Sequence, residues 1–174
     1  DENTLIVSTD FGPGTMTTSG YARQVKLWKR GTLLKDAELI FEGESTDVSC
    51  NGYAFRDGDK THLVLDRGVT FYSSYNYIRV NGQNIKLDFP NESQMAGFLN
   101  GQLILNLKSD WTVAGKTFTK GSVVSVTLAD LVAGKKTVTL IFQPDAFSSV
   151  AGISHTKSKL LVNVLTNVKS ELSV

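Results

Sequence analysis

Hydrolysis of a peptide or ester by a serine needs a nucleophile held on a strained turn, with a base beside it. The nearest approach is Gly152-Ile153-Ser154-His155-Thr156. A nucleophile elbow reads Gly-x-Ser-x-Gly, because a sharp strand-to-helix turn leaves no room for side chains around the serine. Thr156 stands where the second glycine belongs, and the segment alternates as a strand, so Ser154 is read as a strand residue. His62 and His155 are the only histidines, the usual source of a base near neutral pH. Both lie in alternating segments and read as strand residues on partly exposed faces. No residue is assigned a catalytic, cofactor-binding or metal-binding role.

Other chemistries find partial motifs. Asp57-Gly58-Asp59 has the spaced oxygens of a calcium loop but no glutamate at the required distance downstream, so Arg56-Asp57-Gly58-Asp59-Lys60 reads as a hairpin turn. Asp10-Phe11-Gly12-Pro13-Gly14 lacks the lysine and following helix of a phosphate loop; it reads as a long turn in which Gly12 and Gly14 supply unusual backbone angles. Trp28, Trp111 and Tyr21 suit stacking on a ligand, although without a cluster in the sequence, packing between structural units is the expected duty. Asn91-Glu92-Ser93 fits the N-glycosylation acceptor pattern, informative only for a secreted eukaryotic protein. Cys50 is the single cysteine, which excludes an internal disulfide and a cysteine-rich metal site. A lone thiol suits the cytoplasm or a bacterial periplasm, leaving the compartment open.

The 18 Lys and Arg against 17 Asp and Glu in 174 residues give a formal charge of +1 without a run of either sign, which recommends neither nucleic acid nor an anionic membrane. No apolar run approaches the roughly 20 residues of a membrane span, and Asp1-Glu2-Asn3 does not read as a signal-peptide start.

The elements that must carry these residues are strands. Period-two alternation runs through Ile85, Leu87, Phe89, through Leu103, Leu105, Leu107, through Val124, Val126, Leu128, through Val138, Leu140, Phe142 and through Leu160, Val162, Val164. Helical pattern is confined to about one turn at Ala129–Gly134. The strands repeat. Phe41, Phe89 and Phe142 each close an alternating strand and precede a polar turn, at spacings of 48 and 53 residues. After each turn comes a short segment with small residues: Asp47-Val48-Ser49, Met95-Ala96-Gly97-Phe98 and Val150-Ala151-Gly152-Ile153. An aliphatic strand recurs in step at Thr4–Ser8, Gln102–Leu107 and Lys159–Val164.

Four strands in about 50 residues is the size of a propeller blade, with a β-sandwich of similar hairpins as the alternative. The expected fold is all-β: a β-propeller segment of about four antiparallel blades, two whole and two partial. The pieces fall at residues 4–43, 46–90, 93–144 and 149–174 of one partial domain, 1–174. Such a chain begins and ends inside blades, and its open sheet edges are expected to pair with another copy.

The segment Ser8-Thr9-Asp10-Phe11-Gly12-Pro13-Gly14, continuing through Thr17–Arg23 to Val25–Thr32, is too particular for generic β sequence. It resembles the N-terminal propeller of the prolyl oligopeptidase family of serine peptidases. The resemblance extends in collinear order through Leu39–Gly43, Thr46–Ser49, Leu107–Thr112 and Leu160–Leu165, while Asn51–Asn84 rests on strand pattern alone. It implies a two-domain enzyme in which a seven-bladed propeller caps an α/β-hydrolase domain and admits short peptides, with cleavage after proline typical. This chain would then be a non-catalytic cap segment, and its partners the hydrolase domain of the same protein and the peptide substrates. One rival reading is a stand-alone β-rich module binding glycan or protein through Trp28 and Trp111. Another is a scaffold from an inactive member of the family.

Overall fold

The computed structural model describes residues 2–174; Asp1 lies outside the described residues. Its strands form antiparallel sheets joined by short turns. The first sheet contains β1 (Thr4–Val7), β2 (Gln24–Lys29) and β3 (Glu38–Glu42) in that order. The second is a four-stranded meander of β4 (Ser49–Asp57), β5 (Lys60–Thr70), β6 (Ser73–Val80) and β7 (Gln83–Lys86). The part of the chain without a family motif thus folds into a four-stranded sheet with its strands in sequence order.

In the third sheet β8 (Gln94–Leu99) and β9 (Gln102–Asn106) are followed in space by β12 (Val123–Thr127) and β13 (Val138–Phe142). Between β9 and β12 the chain makes a separate hairpin, β10 (Trp111–Val113) and β11 (Lys116–Phe118). The fourth sheet holds β14 (Ser148–His155), β15 (Leu160–Thr166) and β16 (Lys169–Ser173). One short helix, α1 (Leu128–Val132), buries Leu128 and Leu131 and ends where the Gly134 N–H bonds back to the Leu131 carbonyl.

The turns follow from local chemistry. A two-residue hairpin whose central residues both have positive φ matches the right-handed strand twist, and Asn-Gly tolerates that geometry best. Asn81-Gly82 and Asn100-Gly101 adopt it with φ of 49° and 80°, and 51° and 75°. The β10–β11 hairpin uses Ala114-Gly115 instead, which sequence reading did not mark as a turn.

The chain divides into two compact units. The first takes in the chain up to Ala54 and His62–Leu87; the second takes in Phe55–Thr61 and Asp88–Val174. In the first, Val25, Ile40, Cys50 and Leu65 form a buried cluster flanked by Ile6, Leu27, Phe41, Leu63 and Tyr77, so the first two sheets pack face to face. The Phe41 and Tyr77 rings lie 4.9 Å apart. In the second, Ile104 and Val123 of the third sheet meet Val162 and Val164 of the fourth, flanked by Phe142, Val150 and Ile153. Each fully buried aliphatic or aromatic side chain contributes about 1.5–3 kcal/mol, whereas a surface pair such as Lys136–Asp88 contributes about 0–1. Apolar packing between sheets therefore dominates.

One polar device sits inside the first unit. The carboxylate of Asp47, 2% exposed, accepts hydrogen bonds from Arg67 Nε and the Glu44 backbone N–H, each at 2.6 Å. It closes the turn from β3 into β4 and holds the Arg67 guanidinium above its usual pKa. The turn passes so closely that a Cβ on Gly43 would collide with Cys50 Sγ and lie 2.6 Å from Asp47 Oδ2, which is why glycine stands there.

Replacing Asp47 by alanine removes both charged hydrogen bonds at a buried site, and about 2 kcal/mol of stability should be lost with it. A fall in Tm of roughly 4–8 °C is expected by calorimetry, and an unchanged Tm would contradict the role given to this carboxylate.

Burial, reinforced by the Asp47 carboxylate, pushes the Cys50 thiol up from 9.0 to about 11. Because the folded state disfavours the thiolate, this contribution to stability is fully present below about 9 and is lost as pH rises through about 11. Iodoacetamide at pH 8 should leave native Cys50 unmodified and alkylate it only in denaturant; rapid native alkylation would show the site to be open.

Candidate functional site

Two strands of the second unit, β8 and β14, are unpaired on one edge of their sheets, and grooves lie at both ends of this strand pair. Both strands break register at a small-residue step, β8 between Met95 and Gly97 and β14 between Val150 and Gly152. These β-bulges fall in the segments singled out in the sequence for their small residues. A bulge leaves backbone polar groups outside the ladder and re-aims the side chains around it.

The first groove, ≈ 240 Å³, is lined by Arg56, Phe98, Leu99, His155 and Lys157, among others. Arg56 is positioned by its two neighbours. The Phe55 ring meets Phe98 edge-on at 5.6 Å, and Asp57 Oδ2 accepts the Gly101 N–H at 2.7 Å. The Asp57 carboxylate therefore serves a neighbouring turn, and Gly58 with φ of 59° makes the hairpin expected at Arg56–Lys60.

His155 is seated by the β8 bulge. Gly97 has φ of +134°, and a Cβ there would come 3.3 Å from His155 Nε2. His155 Nδ1 lies 3.0 Å from the Thr156 carbonyl oxygen. A carbonyl oxygen only accepts, so Nδ1 is the donor in this contact. Lys157 stands on the β14–β15 turn, where Thr156 Oγ1 accepts the Lys159 and Ser158 N–H groups at 3.1 and 3.4 Å. Ser154 and His155 are consecutive strand residues, so their side chains leave opposite faces of the sheet and do not form a serine–histidine pair.

The second groove, ≈ 390 Å³, lies between Gln94–Ala96 and Val150–Ile153, with Asn106 and Lys108 in its wall. Lys108 Nζ donates to Asn106 Oδ1 at 2.5 Å, and Asn106 Nδ2 donates to the Gly121 carbonyl at 3.3 Å.

The remaining sequence candidates serve structure. Asp10 Oδ1 accepts the Gly12 N–H at 2.8 Å in the long turn after β1, where Gly12 and Gly14 both have positive φ. Trp28 Nε1 donates to the Thr32 carbonyl at 3.0 Å, and buried Trp111 lies 6.5 Å from Phe118 across its own hairpin. Both tryptophans thus have a contact close by in the chain. Tyr21 is exposed, and His62 lies within β5. Among the described residues no group of three His, Cys, Asp or Glu comes together to hold a metal ion, and no helix is long and apolar enough to cross a membrane. The convergence of Arg56 with His155 and Lys157 escaped sequence reading, because about a hundred residues separate them. The available signal was that their turns occupy the same place in two repeats, the second and the fourth.

No family model matches the chain. It is 37% identical over 182 residues to an uncharacterized peptidase of Sinorhizobium fredii, covering 99% of this chain and 25% of that protein. To an uncharacterized peptidase of Rickettsia prowazekii it is 24% identical over 181 residues, with the same coverage. Among solved structures it matches a post-proline cleaving enzyme from Rickettsia typhi with a TM-score of 0.89 and 22% identity, over 99% of this chain and 26% of that one. The chain is thus similar over nearly its whole length to a quarter of two peptidases, and it shares the fold of the matching part of the post-proline cleaving enzyme. Its all-β sheets are the propeller fold expected from the repeat. The chain spans about a quarter of the length of the curated relatives it matches.

Gly97→Ala tests how His155 is held. A φ of +134° is nearly exclusive to glycine, so the variant should lose about 1–3 kcal/mol and displace the imidazole. A lowered Tm with a shifted His155 ring proton resonance is expected; a lowered Tm with an unmoved resonance would remove Gly97 from the positioning of His155.

Proposed function

We propose that this chain is a non-catalytic propeller segment of a serine endopeptidase of the prolyl oligopeptidase type. It would gate the access of peptides to an α/β-hydrolase domain of the same protein. Its blade pieces are residues 4–43, 46–90, 93–144 and 149–174. The single observation that carries this reading is the match of 99% of the chain to a quarter of a peptidase at 37% identity. The post-proline cleavage named for the Rickettsia typhi enzyme is the specificity carried over to the whole protein.

The division of labour follows from the chemistry. Acyl transfer needs a serine, a histidine hydrogen-bonded to it, an acid that orients the histidine, and backbone donors for the oxyanion. These groups are assigned to the hydrolase domain, since Ser154 and His155 here lie on opposite faces of β14. The segment contributes a rigid wall of apolar-packed sheets whose unpaired strands β8 and β14 border the route of a peptide. The glycan-binding reading loses support because Trp28 and Trp111 are engaged within their own hairpins.

The full-length protein should react with a fluorophosphonate serine probe and cleave a short proline-containing peptide at least tenfold faster than the same sequence embedded in a folded protein of about 100 residues. Failure of the probe to react would overturn the peptidase reading, and equal rates on the two substrates would overturn the gating.

A further inference from the structure

We propose that the groove of Arg56, His155 and Lys157 over Phe98 and Leu99 is a carboxylate site. It takes the free C-terminus of a short peptide whose last side chain is apolar. The choice of a peptide rests on the peptidase reading above; the choice of a carboxylate rests on the groove alone.

The groove has three basic side chains and no acid among the residues that line it. Of the two acids flanking Gly58, Asp57 is buried with its carboxylate on the Gly101 N–H, and Asp59 lies exposed on the hairpin turn and is not among the lining residues. A carboxylate placed here therefore meets charge of the opposite sign from two separate turns, and the Arg56 guanidinium can grip both of its oxygens. The two turns are not loose. Arg56 sits between residues anchored on Phe98 and Gly101, and Lys157 stands on a turn closed by Thr156 Oγ1. The His155 ring lies against a glycine whose backbone only a residue without a side chain adopts comfortably.

The floor selects the body of the ligand. Leu99, partly exposed and backed by the fully buried Phe98, borders the opening, so an apolar side chain gains contact with it that a bare inorganic anion does not. A volume of ≈ 240 Å³ suits the last residue of a peptide and leaves the rest of it outside.

The test uses the full-length protein with acetyl-Ala-Gly-Leu as the free acid and as the C-terminal amide, tripeptides without a proline to cleave, titrated by calorimetry at neutral pH. The acid should bind at least tenfold more tightly than the amide. The double variant Arg56→Gln, Lys157→Gln should lose at least tenfold for the acid and leave the amide unchanged, and inorganic phosphate should displace the acid only in large excess. Equal binding of acid and amide, unchanged binding by the double variant, or displacement by equimolar phosphate would each overturn the proposal. Protein that reacts with the fluorophosphonate probe yet does not discriminate acid from amide sinks the site alone. Protein that discriminates them yet does not react with the probe sinks the peptidase reading alone.

Discussion

The contact of Ile104 and Val123 with Val162 and Val164 holds the third sheet against the fourth, and the candidate site depends on it. Four buried aliphatic residues at about 1.5–3 kcal/mol each outweigh every surface pair in this unit. Once the two faces are packed, the distance between β8 and β14 is set, and the grooves at their ends follow. A cavity in this cluster would act on the grooves through the spacing of the strands, with no contact to any residue lining them.

Short acids do a second job at the strand ends. Asp47 in the first unit and Asp57 in the second are both buried, and both accept a backbone N–H of a neighbouring turn at 2.6 and 2.7 Å. Each fixes a connection by pairing a backbone donor of the turn with a buried carboxylate. The difference between them is instructive. Asp47 also accepts from Arg67 Nε, and the arginine that precedes Asp57 in the chain, Arg56, lines the groove.

Much of the fold was legible because period two leaves a strong mark. The strands around Leu103, Val124, Leu140 and Val162, the hairpin at Gly58 and the glycine-closed turn after α1 all stand where alternation and turn residues put them. The hairpin of β10 and β11 was not legible, since Ala114 in a left-handed turn position is an unusual choice and each strand is too short to show a period. The site was legible only in parts. The small residues at Ala96-Gly97 and Ala151-Gly152 pointed to close backbone approach. That Gly97 receives an imidazole from a strand more than fifty residues away depends on sheet packing, which alternation does not encode.

Cys50 gives the protein a practical property. A single thiol that is fully buried and reluctant to ionise is chemically silent, so a cysteine introduced elsewhere becomes the one addressable position without first removing the native one. A fluorophore or spin label placed at the exposed Lys157 or Tyr72 would be read against an empty background. The interior packing of one sheet pair thereby makes the surface of the whole chain open to single-site spectroscopy.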